Sequence, residues 1–277
     1  MIYQTAEMSL KNFAPQVIFR IMDRDQAIER LSRFNLRDIA RVSEEARVLS
    51  PYSYYRCGAL RHMNSREREA FASLGVKTVI DLRTYVERRN KPDDSLPGVN
   101  VLHIPLLKEE TMGITHGRGV FAYGAPPDMP VLYAGLVTNP ESIEALKQVM
   151  DVIFDPDRDG AIAWHCTAGK DRAGLVTALF LYAIGASEEE ILEDYVKSNA
   201  TSEPKGRTYR RLIRLFMWNK PLSEAVYKTM LAVPEYLLSA FDAIKEKWGD
   251  VKTFLRDALG VDEDRVQAFL TRQKPAE

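Results

Sequence analysis

Cysteine is nearly absent from this chain: of 277 residues, only Cys57 and Cys166 carry a thiol. A pair so placed makes no disulfide framework, so stability must come from a packed core in a reducing setting. Histidine is scarce too, with four scattered residues, and no Cys/His run has the spacing of a zinc site. No apolar stretch approaches the length that crosses a bilayer. Residues 1–20 lack a basic segment followed by an apolar core, so neither an integral membrane segment nor a secretory signal is expected. An excess of one charge is also missing. With 38 basic and 39 acidic residues the net charge is −1, which gives no reason to expect a nucleic-acid partner. The expectation is a cytoplasmic protein with one domain over 1–277, comprising an N-terminal extension (1–33) and a helical C-terminal part (203–277).

What is present converges on His165-Cys166-Thr167-Ala168-Gly169-Lys170-Asp171-Arg172-Ala173-Gly174. The apolar run Ala161 to Trp164 leads in and reads as a buried strand. Leu175 to Tyr182 leads out, apolar on nearly every side, and reads as a buried helix. A tight turn from strand into helix N-terminus points backbone N–H groups and the positive end of the helix dipole at one spot, which is an anion site. Cys166 sits where those amides favour a thiolate, the nucleophilic form. Arg172, six positions on, can grip two oxygens of a tetrahedral oxyanion with its planar fork. Gly169 and Gly174 allow torsions and close approaches that a Cβ would hinder. His165 is placed to hydrogen-bond loop backbone, and Lys170 adds a second positive charge.

This loop resembles the signature of the cysteine-dependent protein tyrosine phosphatase superfamily. Its insert Ala168-Gly169-Lys170-Asp171 is similar to the bacterial and fungal branch that includes dual- and triple-specificity phosphatases. Further segments fit the resemblance: Asn35-Leu36-Arg37-Asp38, Tyr54-Tyr55-Arg56-Cys57-Gly58, Asp81-Leu82-Arg83, and in the tail Pro234-Glu235-Tyr236-Leu237, Gly249 and Leu259-Gly260-Val261. The resemblance implies an α/β fold with a central, mainly parallel sheet flanked by helices and a helical C-terminal extension. It implies hydrolysis of phosphotyrosine, and also of phosphoserine, phosphothreonine or phosphoinositides, through a phosphocysteine at Cys166, with no cofactor or metal. Phosphate, as substrate or inorganic product, would lie against His165, Thr167, Ala168, Gly169, Lys170, Ala173, Gly174 and Arg83, with Arg172 as its main ligand. Partners would be phosphorylated proteins or phosphoinositides.

The flanking chain supplies the elements. Asn64 and Glu67 form a capping box, with Ala70, Phe71 and Leu74 on one face of the helix they open and Gly75 beyond its end. Val76 to Arg83 reads as a central strand that delivers Asp81 and Arg83 to the carboxyl edge of the sheet, where ligands sit in open α/β folds. Val99 to Leu106 reads as another strand. Residues 107–130 read as a loop where superfamily members keep a lid with an acid, yet no aspartate stands between Pro105 and Pro127. Phosphoryl transfer needs a general acid, so the candidates are Asp171, then Asp81, then Asp128. Asn139-Pro140 opens a helix, Gly185 ends the one after the loop, and Ser187 and Glu190 cap the next. Helices are expected over 207–218, 222–231, 234–248, 251–259 and 263–272.

Two departures open alternatives. Ala173 stands where the superfamily carries a hydroxyl that helps the cysteine leave, so the chain could be a phosphate-binding module with little turnover unless Thr167 substitutes. Cys57 could serve as a resolving thiol, the requirement of a sulfurtransferase or arsenate reductase. The basic run from Lys205 to Arg214 is either a solvated helix face or a collector of anions.

Overall fold

The structure, a computed structural model, describes residues 22–107 and 126–273. In chain order come α1 (Arg24–Arg30), β1 (Arg37–Asp38), β2 (Tyr54–Cys57), α2 (Ser65–Ser73), β3 (Val76–Asp81), α3 (Tyr85–Asn90) and β4 (Asn100–His103). After residue 126 follow α4 (Met129–Thr138), α5 (Pro140–Ile153), β5 (Ala161–His165), α6 (Asp171–Ala183), α7 (Glu188–Lys197), α8 (Asn199–Met217), α9 (Lys220–Met230), α10 (Pro234–Trp248), α11 (Val251–Asp257) and α12 (Glu263–Leu270).

The strands form one sheet in the order β1-β2-β5-β3-β4. Only the short β1 runs antiparallel to its neighbour; the other pairs are parallel, as expected. The central β5, Ala-Ile-Ala-Trp-His, is buried along its whole length, as a parallel strand covered on both faces must be. Its alternation divides the core. Ile162 and Trp164 join a large apolar cluster that runs from Ile39 through Phe180 to Phe269, so the tail helices share the core of the sheet. Ala161 and Ala163 face a smaller cluster with Tyr55, Cys57 and Phe71.

Local chemistry fixes the helix starts. Reciprocal capping boxes open α2 (Asn64 with Glu67), α3 (Thr84 with Glu87) and α7 (Ser187 with Glu190). Asn139 caps α5 with Pro140 in its first turn, and Gly75 and Gly185 take the positive φ that ends a helix. The strands read over 76–83 and 99–106 are shorter, Val76–Asp81 and Asn100–His103, and two helix starts depart further from the sequence reading. The stretch read as loop to residue 130 already starts a helix at Met129, because the Asp128 carboxylate accepts from Val131 N and Pro130 fits the first turn. The lid expected over 107–130 otherwise lies mostly outside the described residues. The helix expected from 207 begins at Asn199 and contains Pro204, which near the N-terminal end forfeits one backbone bond without stopping the helix. No helix among the described residues is long and apolar enough to cross a membrane.

One buried ionic knot ties the sheet to the helices. Arg56 on β2, fully buried, meets Asp194 of α7 at 2.5 Å and Ser198 Oγ at 2.9 Å. The other Asp194 oxygen lies 3.2 Å from Arg37 Nε. Removing that carboxylate strands two guanidinium groups, which costs about 3–5 kcal/mol when a buried pair is broken. Asp194→Ala is therefore expected to lower urea-unfolding stability by that amount. Asp257→Ala, at an exposed pair, should leave it essentially unchanged.

Candidate active site

The turn from β5 into α6 is held from outside by its carbonyl groups. Asn35 Nδ2 donates to Ala168 O (3.2 Å) and Gly169 O (3.0 Å). Arg56 donates to Gly169 O through Nε (3.0 Å) and to Lys170 O (3.4 Å). Ala59 N donates to Thr167 O, and Leu82 N to His165 O. With these carbonyls engaged, the backbone N–H groups of residues 167 to 171 have no acceptor among the described residues, next to Cys166, which is 2% exposed. Gly169 makes this possible. It has φ +67°, and a Cβ there would stand 2.5 Å from the carbonyl carbon of Cys57, so no other residue lets the loop lie this close to β2.

Cys166 lies in a cavity of about 560 Å³, with Arg172, Asp171, Glu87 and Tyr209 among its walls. Arg172 is buried and gripped by Glu87 in a bidentate pair, Nη1–Oε2 at 2.5 Å and Nη2–Oε1 at 2.8 Å. Burial pulls the guanidinium down, but Glu87 and the Cys166 sulfur outweigh it and hold the cation. Burial likewise pushes the Glu87 carboxyl up, and Arg172 with the Thr167 hydroxyl drives it well below the usual carboxylate range. Glu87 escaped the sequence reading, although Thr84-x-x-Glu87 is a legible capping box: the same carboxylate that caps α3 orients Arg172.

Asp171, the first candidate acid, opens onto the cavity in the first turn of α6. Its Oδ1 accepts from Tyr133 Oη (2.8 Å) and Lys170 Nζ (2.5 Å). Burial, then the nearby Asp171, push the Tyr133 phenol well above its ordinary value. Its one proton goes to Asp171, so Tyr195 Oη must donate to Tyr133 at 2.7 Å. Tyr133 sits on the unexpected α4, so no sequence signal pointed to it.

The other expected site residues are engaged as follows. Lys170 lines the cavity and is almost fully buried. Its ammonium is held by Asp171, Thr229 O (3.2 Å) and Leu231 O (3.1 Å) at the C-terminal end of α9. Asp81 is fully buried, bound through both oxygens by Arg83, and does not line the cavity. Burial pushes its carboxyl up, but Arg83 and His165 more than offset that and leave it lowered. Arg83 lines the cavity while its guanidinium is engaged by Asp81, Asp93 and Lys91 O. Asp128 is occupied as the α4 cap. Gly174 packs below the loop, where a Cβ would stand 3.1 Å from the Tyr195 ring and 3.2 Å from Arg56.

His165 Nδ1 lies 3.2 Å from Cys166 O, as expected of a loop-stiffening residue. Its Nε2 faces Asp93 Oδ2 at 3.4 Å and Asp81 Oδ1 at 3.8 Å. These three groups have ligand atoms within 4.8 Å of one another, but Arg83 already binds both carboxylates and fills the place of a cation, so the cluster does not fit a metal. Thr167 Oγ1 donates to Glu87 Oε1 (2.5 Å), and Thr177 Oγ1 donates to Ala173 O. Neither hydroxyl replaces the one missing at Ala173. Cys57 stands opposite His165 in the β2–β5 pairing and belongs to the smaller cluster, whereas Cys166 belongs to the larger one. The two thiols thus serve opposite faces of the sheet, and burial pushes the Cys57 thiol well up, which disfavours the resolving-thiol alternative.

A buried cysteine, unpaired amides and a clamped arginine share one cavity at the carboxyl end of a parallel sheet, an arrangement that can hold a phosphate ester against a thiol. The family model described as the tyrosine phosphatase family matches residues 28–272. The chain belongs to that family and is a phosphoric monoester hydrolase by class. It is 29% identical over 229 residues to a provisionally named tyrosine-protein phosphatase of Cupriavidus necator, covering 75% of this chain and 74% of the relative. It is 26% identical over 265 residues to the triple specificity protein phosphatase PtpB of Mycobacterium tuberculosis, covering 81% and 91%. Among solved structures, that of P. aeruginosa TpbA aligns with TM-score 0.33 and 17% identity over 68% of this chain and 87% of that one.

The Glu87–Arg172 pair carries a pH signature. Because the folded-state carboxyl is lowered, its contribution is complete above the ordinary value of 4.5 and is lost as pH falls toward the folded value. Glu87→Gln should lose about 3 kcal/mol of stability at pH 7. Below pH 4.5 its urea midpoint should fall less steeply than that of the wild type.

Proposed function

We propose that the protein hydrolyses phosphotyrosine, and with it phosphoserine, phosphothreonine and phosphoinositide monoesters, through a phosphocysteine at Cys166. The observation that carries this is the run of unpaired amides of residues 167 to 171 next to Cys166, in one cavity with Arg172. Of the five guanidinium N–H groups, Glu87 takes two and Leu82 O a third. The Nε–H and one Nη2–H remain to grip two phosphate oxygens side by side. Cys166 attacks phosphorus, the ester P–O bond breaks, and the leaving oxygen takes a proton from Asp171. Water then attacks the phosphocysteine, giving its proton to the Asp171 carboxylate, and phosphate leaves as the thiolate returns. Asp171 suits both steps because Tyr133 and Lys170 hold one oxygen and leave Oδ2 without a partner among the described residues. His165, Thr167, Ala168 and Gly169 shape the cradle, with Ala173 beneath it. A thiolate nucleophile needs a reducing compartment, which favours the cytoplasm.

Cys166→Ser should abolish turnover of a phosphotyrosine peptide measured with reductant and EDTA present, while EDTA leaves the wild type unaffected. Activity that survives Cys166→Ser sinks the reading. Asp171→Asn should lower kcat about 10²–10⁴-fold on alkyl phosphates and much less on an aryl phosphate whose leaving group needs no proton.

The second reading, a phosphate binder with little turnover, draws on Ala173: it is fully buried, and both nearby hydroxyls are committed elsewhere. Rapid-quench assays should show a stoichiometric burst of alcohol followed by slow phosphate release, and Ala173→Ser should raise the steady-state rate and shrink the burst. A wild type that binds vanadate but gives neither burst nor turnover would establish the binder instead.

A further inference from the structure

The hairpin of α8 and α9 ends in a tip that the hydrolytic site does not use. Residues 214–221 are all exposed, and among them are Leu215, Phe216, Met217 and Trp218, the last 90% exposed. Trp218 occupies the turn with φ +50°, a left-handed position where a bulky aromatic is strained and where Asn or Gly would close the turn more easily. An indole held there in water contributes almost no packing to its own chain.

The hairpin as a whole carries an excess of positive charge. Residues 199–230 hold seven basic side chains against Glu203 and Glu224, on a chain of net charge −1. Glu203 pairs with Arg207, and Glu224 with Arg210 and Arg214. Lys205, Arg211 and Lys220 form no ion pair among the described residues. Along α8, Tyr209, Leu212 and Phe216 follow at helical spacing, each more than 40% exposed. Lys205 and Tyr209 also line the cavity of Cys166. The apolar stripe therefore starts at the rim of the cavity and ends at the tip.

We propose that this hairpin tip docks on an anionic lipid surface, inserting Phe216 and Trp218 among the headgroups while Arg211 and Lys220 face the lipid phosphates. The charge decides the occupant. An exposed aromatic wedge on a basic hairpin matches the membrane interface, where Trp is favoured and each cation near an anionic surface adds to binding. The apolar residues cap a helix end, not a groove, so they offer little to a protein partner that binds by shape. Docking would bring the mouth of the cavity, on the same helix, toward the lipid headgroups. The inference concerns binding and stands apart from the hydrolytic reading.

The test is sedimentation of the full chain with phosphatidylcholine vesicles, with and without phosphatidylserine, alongside tryptophan emission. The wild type should sediment with the phosphatidylserine vesicles and shift its emission to the blue, and do neither with phosphatidylcholine alone. Arg211→Gln with Lys220→Gln should weaken binding about 30-fold, from roughly a factor of five per cation. Phe216→Ser with Trp218→Asn, chosen because Asn accepts the left-handed turn, should weaken it at least tenfold. Thermal melts should match the wild type in both, and hydrolysis of a small soluble aryl phosphate should be unchanged. Equal affinity for both vesicle types, no binding to either, or binding indifferent to both double variants overturns the proposal. A lipid-free dimer that Phe216→Ser makes monomeric overturns it as well and assigns the tip to a second copy of the chain.

Discussion

The approach of the phosphate loop to the end of β2 is the contact on which the site depends. Gly169 rests against the Cys57–Gly58 peptide at a distance that excludes a Cβ, and Gly58 lies under Ala168, where its own Cβ would be 3.1 Å from the Ala168 carbonyl carbon. Two side chains with buried polar ends, Asn35 and Arg56, then collect the loop carbonyls. A peptide plane has two ends, so fixing its carbonyl outward turns its N–H inward. The anion site is thus built by satisfying the opposite half of each peptide group. Arg56 can do this because Asp194 and Ser198 compensate its burial, which makes α7 a support of the loop although it never touches the cavity.

Beneath and beside the loop, buried charge is sorted into two separate systems. Glu87 and Thr167 complete Arg172, leaving a usable edge of its guanidinium toward the cavity. Asp81 and Asp93 close on Arg83 and approach His165, where nothing reaches the cavity from either aspartate. Breaking either system leaves an uncompensated buried ion, a cost of about 3–5 kcal/mol. Merging them would let Arg172 pair with the aspartates and lose its orientation. The strand end at Asp81 and the helix start at Thr84 keep them apart, since only two residues separate one carboxylate's strand from the cap of the helix that carries the other.

This sorting explains what the sequence could and could not tell. The loop itself was legible because a cysteine, an arginine and two glycines at fixed spacing admit few structures, and the capping boxes at Asn64 and Ser187 were legible because they are local. The Asp81-x-Arg83 pair was legible as a strand end, but its partner was not: whether two opposite charges face a ligand or each other depends on Asp93 and His165, distant in the chain. The partners of Lys170 were hidden for the same reason, since Thr229 and Leu231 approach it only after the helical tail has folded back. Glu87 was within reach of the capping logic already used elsewhere. Tyr133 was not, because its helix opens inside a stretch whose glycines and prolines read as loop.

Lys170 has a consequence for the acid. A general acid carried on a lid must be delivered by motion, whereas Asp171 belongs to the first turn of α6 and is fixed as soon as the loop forms. Its position is then set by three neighbours: the helix N-terminus, which favours the carboxylate, Tyr133, and Lys170. The first two are rigid parts of the core. Lys170 divides its three donors between Asp171 and the Thr229 and Leu231 carbonyls at the end of α9. Any shift of the α8–α9 hairpin relative to the loop must therefore redistribute those donors and alter the charge felt by Asp171. The segment that forms the cavity rim and the carboxylate proposed to move the proton are joined through one ammonium, so on that proposal access to the site and its acid chemistry are not independent.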